Sequence, residues 1–374
     1  MTDDADQLLE RLRERRTGRT AATDSLMKSL AAYAGMTHDS TREAWEARGS
    51  ANQRWTKYAI GAMAAVGETY TRVSIETARR VQRQLETRLA AAGYSVEFRL
   101  QGSVPLDVHI KGFSDVDLLT IDTSFFTYVT NGAKALAGVY TPSYLTSRAV
   151  LILLRHQIEK DLSEAFPAAT VDTSGSKAVK ISGGSLQRSV DVVPAHWNNT
   201  LDYQEYDLEV YRGVQIYDQK TGETPVNYPF LHMFRIDMQC NTAYGGLRKA
   251  IRLCKNVKAD TAPEMALSSF DIASIMYHAD MKELGLCRYT DLAVLAETQR
   301  FLDALCMDRA MANSLMVPDR SRRIFDAPEK LNALATLSLK VDRLLDRVYE
   351  EIAGHVGATS YASVKRAMLC ATLV

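Results

Sequence analysis

Several things are scarce in this sequence, and each scarcity narrows what the chain can be. Across 374 residues there are 20 glycines and 9 prolines, about 8% of the chain against a usual ~12%. That excludes collagen, long flexible linkers and all-β folds rich in tight turns, and points to a helix-rich chain. An excess of one charge is missing as well, since 45 basic residues balance 45 acidic ones. Proteins that grip long nucleic acid show a basic excess, because phosphate contacts carry most of that affinity. A long nucleic-acid partner is therefore not expected, whereas a small nucleotide needs only local cations. The five cysteines, Cys240, Cys254, Cys287, Cys306 and Cys370, form no C-x-x-C knuckle, which argues against zinc and for free thiols in a reducing cytoplasm. The longest apolar run, Tyr58 to Gly67, is too short to cross ~30 Å of hydrocarbon. The amino terminus mixes Asp3, Asp4 and Asp6 with Arg11 and Arg13 and has no apolar segment behind it, unlike a targeting peptide. The expectation is a cytoplasmic protein with no membrane partner.

What is present is an ordinary globular balance, 46% apolar and 24% charged, in a chain long enough for two or three domains. Residues 1 to about 70 read as helical. From Ser74 to Ala92 the stripe Ile75, Ala78, Val81, Leu85, Leu89 has the helical period, and Gly93 stands where a helix C-cap is favoured. Alternation predicts a strand over Ser95–Gln101 and a second over Asp115–Asp122. A long helix follows over Thr146–Ala165, then strands over Ala169–Asp172, Ser176–Ile181 and Leu186–Val193, the last two joined by a two-residue turn at Gly183-Gly184. After Pro225 nearly everything is helical in period. The expected organisation is a helical segment over 1–70 packing on the core, a mixed α/β core over 71–225 and a helical domain over 226–374.

The chemistry gathers around Gln101-Gly102-Ser103 and Asp115-Val116-Asp117. Residues i and i+2 of a strand share a face, so Asp115 and Asp117 present two carboxylates together. Two like charges this close repel unless a cation separates them, and hard oxygen ligands select Mg²⁺ or Mn²⁺. Gly102 permits close backbone approach to a ligand, Ser103 adds a hydroxyl, and a helix opening beyond them would aim its amides at a phosphate. D-x-D alone is most often a solvated strand end; a strand-ending Gly-Ser just upstream makes it far more specific. Asp191, alternating with valines, supplies a third carboxylate that is costly to bury alone. A two-residue turn at Gly183-Gly184 sets Lys180 opposite Gln187 and Ser176 opposite Asp191. Lys180 and Asp191 then share one sheet face, and Lys177 takes the other. His196 lacks a metal-spaced companion and reads as structural, and Tyr203, Tyr206, Tyr211, Tyr217 and Tyr228 read as packing residues.

Gly-Ser, D-x-D and a later strand aspartate resemble the signature of the polymerase-β-like nucleotidyltransferases. The helical half sharpens the likeness, because Gly245 to Lys258 (GGLRKAIRLCKNVK) resembles the "IRLLKxxK" helix of the cGAS/DncV-like group, the CD-NTases. Ser269-Phe270 follows Lys255 at a similar spacing to that group's Ser-aromatic pair. The resemblance spans roughly Ser74 to Asp280. It implies an α+β fold, with a mixed-sheet nucleotidyltransferase core, an N-terminal spine helix and a following all-helical domain. It also implies two Mg²⁺ ions, Mn²⁺ being an alternative, on the catalytic Asp115, Asp117 and Asp191. Gln101, Gly102, Ser103, Lys180, Lys255 and Ser269 would hold the donor nucleotide. A surface lysine and a capping box from Ser268 to Asp271 are the plain readings of the last two positions, and the capping box is compatible with a phosphate contact. The implied activity joins nucleoside triphosphates into a cyclic di- or trinucleotide messenger, releasing pyrophosphate, in bacterial anti-phage signalling with room for regulatory protein partners. The alternatives are a templateless transferase acting on RNA or protein, and a silent nucleotide-binding module.

Overall fold

The computed structural model describes residues 4–17, 43–50, 52–112, 114–353 and 362–371. In chain order the helices are α1 (Ala5–Thr17), α2 (Arg54–Met63), α3 (Glu68–Ala91), α4 (Ser147–Ala165), α5 (Pro229–Thr242), α6 (Gly246–Ala259), α7 (Ser269–Met276), α8 (Leu292–Met307), α9 (Pro328–Ala353) and α10 (Ala362–Ala371), beside shorter helical segments. The strands are β1 (Val96–Gln101), β2 (Val116–Tyr128), β3 (Thr170–Asp172), β4 (Val179–Ser182), β5 (Val190–Asn199), β6 (Gly213–Ile216) and β7 (Val226–Asn227). By packing, the chain forms two compact units. A sheet unit comprises Gly67–Leu106 and Ser114–Arg235; a helical unit comprises Met1–Val66, Asp107–Phe113 and Ile236–Val374. The boundary near 225–235 is where the sequence changes from alternating to helical period. In the helical unit α1 and α2 are grouped with the carboxy-terminal helices.

In the sheet unit the strands run β1-β2-β5-β4-β3, with β6 on β5 and β7 on β6. β2 and β5 are parallel and every other pair is antiparallel, so the sheet is mixed. The stripe read from the sequence does the packing: Ala78, Val81, Leu85 and Leu89 of α3 join Leu154, Ile158 and Leu162 of α4 in one fully enclosed core. Each such side chain contributes about 1.5–3 kcal/mol by leaving water. Thr146 caps α4 by accepting the Ala149 N–H, and Gly93 ends α3 at φ +85°. A second cluster, Leu119, Ile121, Val193, Ala195, Trp197, Val214 and Ile216, lies on the other side of the same strands.

Two local expectations change. The Gly183-Gly184 pair does not make a two-residue hairpin. Both glycines take positive φ, +76° and +58°, but they open a connection over residues 183–189 in which the Leu186 N–H bonds the Gly183 carbonyl. In place of strands over Ser176–Ile181 and Leu186–Val193, the chain forms Val179–Ser182 and Val190–Asn199. Beyond Gly102-Ser103 the chain makes turns rather than a helix, so no helix amides are offered there. Among the described residues no helix is long and apolar enough to cross a membrane, and all five cysteines are free.

Candidate active site

Because side chains alternate along a strand, the helix-covered core settles which face each polar residue takes. Val116 and Leu118 of β2, Val190 and Val192 of β5, and Val179 and Ile181 of β4 all enter the core under α3 and α4. Asp117, Asp191 and Lys180 alternate with them and point to the opposite face. The ladder then lines these residues up. Gln101 is opposite Asp117, Asp117 opposite Asp191, Asp191 opposite Lys180, and Lys180 opposite Asp172. One row of five polar side chains thus crosses five strands. Directly opposed residues hold their Cβ atoms ~4.5–5.5 Å apart, close enough for each pair to interact.

Asp115 stands just before β2 and closes on this row from the side. Its carboxylate accepts a hydrogen bond from the Lys180 ammonium on one oxygen and from the Ser189 hydroxyl on the other. Gly102 packs against the second member of the D-x-D. It takes φ +80°, and a Cβ at that position would lie 2.3 Å from Asp117 Oδ2. Only glycine permits that backbone beside that carboxylate.

The electrostatics follow from this crowding. Burial, then repulsion from Asp115, pushes the Asp191 carboxyl above its ordinary value, with Lys180 opposing the shift. Lys180 is pushed up, chiefly by its hydrogen bond to Asp115, against some desolvation. Asp172 is held below its ordinary value by hydrogen bonds from Ser174. The Asp191 carboxylate accepts no hydrogen bond from any described residue although it is half-buried.

Among the described residues, no three His, Cys, Asp or Glu side chains are drawn together at ligating distance; Asp115 is turned onto Lys180 and Ser189 instead. The donor chemistry nevertheless fits a hard divalent cation. Two carboxylates are directly opposed, a third is at their edge, and the half-buried Asp191 lacks a donor of its own.

Lys255 and Ser269 belong to the helical unit. Lys255 is only 4% exposed, and its ammonium donates to the Val108 carbonyl at 2.8 Å. On the same face of α6, Arg252 donates to the Asp107 carbonyl. Ser269 is the first residue of α7 behind the expected capping box, in which Ser268 and Asp271 satisfy each other's backbone N–H. Asp271 also pairs with Arg322 at 2.6 Å and Lys330 at 3.2 Å. His196 is buried and structural, as its sequence context suggests. Nδ1–H donates to the Trp197 carbonyl at 3.0 Å, Nε2 accepts from Ser147 at 2.7 Å, and burial pushes its pKa down.

Sequence reasoning misses Ser189 and Asp172. Ser189 lies two residues before Asp191, so the parity that links Asp115 to Asp117 already marks it as a same-face neighbour. Asp172 ends a strand that alternation identifies, but local pattern does not assign its partner strand, and only the pairing sets it against Lys180.

No protein-family model matches the chain. The cyclic dinucleotide synthase CdnE of Yersinia aleksiciae is 46% identical over 315 residues, covering 83% of this chain and 81% of that protein. A c-di-GMP synthase of a Lachnospiraceae bacterium is 30% identical over 260 residues, or 64% of this chain and 73% of that one. Among solved structures, the STING-associated CdnE c-di-GMP synthase of Capnocytophaga granulosa superposes with a TM-score of 0.69 at 26% identity, covering 91% of this chain and 97% of that one.

Proposed function

The chain belongs to the cGAS/DncV-like nucleotidyltransferases, the family of the CdnE cyclic dinucleotide synthases, and from that premise we propose how its own residues do the work. It is a nucleotidyltransferase that makes cyclic oligonucleotides from nucleoside triphosphates. The proposed product is a cyclic dinucleotide, made in a bacterial cytoplasm as an anti-phage signal. A sugar hydroxyl of one nucleotide attacks the α-phosphorus of a second, and pyrophosphate leaves with the broken P–O bond. The same step, repeated within the linear intermediate, closes the ring. Asp115, Asp117 and Asp191 would hold two Mg²⁺ or Mn²⁺ ions, which supply stabilisation of the attacking and leaving oxygens when bound. Gly102 keeps the backbone low beside Asp117 so that the triphosphate can approach, and Gln101 and Ser103 flank it. Lys180 meets an α- or β-phosphate from the Asp191 side of the row. Lys255 and Ser269 are the further residues that the family resemblance assigns to nucleotide phosphates.

The observation that carries this reading is the row from Gln101 through Asp117 and Asp191 to Lys180, with Gly102 against its second member. Its first test is pyrophosphate release by the protein with nucleoside triphosphates and Mg²⁺ alone. Turnover that begins only when RNA or a protein acceptor is added would favour the templateless alternative.

Two further outcomes follow for the lysines. Lys180→Ala lowers turnover at least about tenfold, or about 1.4 kcal/mol. Lys177→Ala does little, because Lys177 lies before β4, exposed and 3.9 Å from Asp218, and surface pairs of that kind contribute about 0–1 kcal/mol. Steady-state kinetics on both variants decides it, and a sensitive Lys177 with an indifferent Lys180 would place the phosphates on the wrong face. Lys255→Ala raises KM for nucleotide more than it lowers kcat, since a lysine on the triphosphate meets charge that is present before reaction. Unchanged KM with a lowered melting midpoint would instead confine Lys255 to holding Val108.

A further inference from the structure

We propose that Lys180 is the resident counter-cation of the catalytic carboxylates: it holds Asp115 while no divalent ion is bound, must release it for the ion to enter, and passes to Asp172, the outermost carboxylate of the row. The proposal rests on the reading of Asp115, Asp117 and Asp191 as the divalent-ion site.

The geometry of the row supports it at each step. Lys180 sits between carboxylates, with Asp191 opposite it on β5 and Asp172 opposite it on β3. Its ammonium is bonded to neither of these but to Asp115, whose second oxygen is taken by Ser189. An ion ligated by Asp115 would stand against the ammonium that shares the carboxylate, so the Lys180 charge opposes its entry. The Lys180 side chain is 41% exposed and that of Asp115 32%, so the pair is partly solvated and weak enough to exchange. A lysine suits the exchange because it carries a compact charge on a flexible four-carbon stem, where the planar fork of an arginine would lock onto one partner. Asp172 is a fixed receiver: the Ser174 N–H bonds its Oδ1 at 2.8 Å. Adjacent strands are ~4.8 Å apart, and a lysine stem covers that distance. The arrangement also answers a problem of the apo protein. Three carboxylates at the starting ends of two neighbouring strands repel one another, and a tethered cation offsets that repulsion until the divalent ion arrives. After the exchange the ammonium remains beside the site, where an incoming phosphate can take it.

The consequence is that Lys180 opposes divalent-ion binding in the nucleotide-free protein, although it assists turnover. Nucleotide-free protein is titrated with Mn²⁺ while the electron paramagnetic resonance signal of free ion is followed, for wild type, Lys180→Met, Lys180→Gln, Asp172→Asn, Lys180→Met/Asp172→Asn and Asp117→Asn. Melting curves in EDTA confirm that each is folded. Both Lys180 variants are expected to bind Mn²⁺ at least about threefold more tightly, the effect of removing one weak ion pair and one repelling charge. Asp172→Asn is expected to weaken binding when Lys180 is present and to lose that effect in the Lys180→Met background. Equal or weaker binding in both Lys180 variants overturns the proposal, while loss of Mn²⁺ binding in Asp117→Asn shows that the site itself was read correctly. Wild-type Mn²⁺ binding in Asp117→Asn overturns both, because the ion then lies elsewhere.

Discussion

Asp117→Ala is expected to leave less than about a hundredth of wild-type pyrophosphate release, a loss of at least about 3 kcal/mol of transition-state stabilisation. Asp117 is central to the row, directly opposed to Gln101 on one side and Asp191 on the other. It also points away from the core that α3 and α4 cover, in which its neighbours Val116 and Leu118 are buried. Removing it therefore takes nothing from the packing and relieves repulsion among the carboxylates. The melting midpoint in EDTA should match or exceed that of wild type; Asp115→Ala should be equally inactive but gain no stability, because it also removes the acceptor of Lys180 and Ser189. This combination of a dead enzyme with an undamaged fold separates a catalytic carboxylate from a structural one. Retention of more than about a hundredth of the activity would remove Asp117 from the mechanism.

Gly102→Ala carries the next largest effect. Its methyl group would fall 2.3 Å from Asp117 Oδ2, on a backbone at φ +80°, so the carboxylate must move. A displacement of about 1 Å in a reacting constellation can lower turnover about a hundredfold, and a loss of that order in kcat is expected. Backbone strain adds about 1–2 kcal/mol of destabilisation. Gly93→Ala isolates that part, because Gly93 takes φ +85° and a methyl group added there would meet nothing within 4 Å. Gly93→Ala should thus lose a similar stability and keep its activity. If Gly102→Ala stayed within about tenfold of wild type, the contact with Asp117 would have no part in placing the carboxylate.

Much of this is legible in the chain because it rests on local period. The stripe that ends at Leu89 and Gly93 specifies α3, and the alternation of aspartates with valines specifies the faces of β2 and β5. The register between β4 and β5 is not legible. Gly183-Gly184 has the composition of a two-residue turn, but it opens the longer connection over 183–189, which places Lys180 opposite Asp191 rather than Gln187. The slip is an even number of residues, so every side chain keeps its face and the grouping of Lys180 with Asp191 survives. Asp172 and Ser189 show the other limit. Their roles depend on which strands become neighbours, and nothing local to either residue encodes that. The stretch Asp107–Phe113 is similar: it lies between β1 and β2 in the chain but packs with the helical unit, where Arg252 and Lys255 take the carbonyls of Asp107 and Val108.

The central claim is that a chain carrying this row of residues closes a ring between nucleotides. Its most direct test is the mass of the product formed from nucleoside triphosphates and Mg²⁺, after digestion with a phosphatase that removes every terminal phosphate. A cyclic product survives digestion, and its mass is that of its nucleoside monophosphates less one water for each linkage, with as many linkages as nucleotides. A product that loses phosphate on digestion and has one linkage fewer than nucleotides would be linear, and would contradict the account.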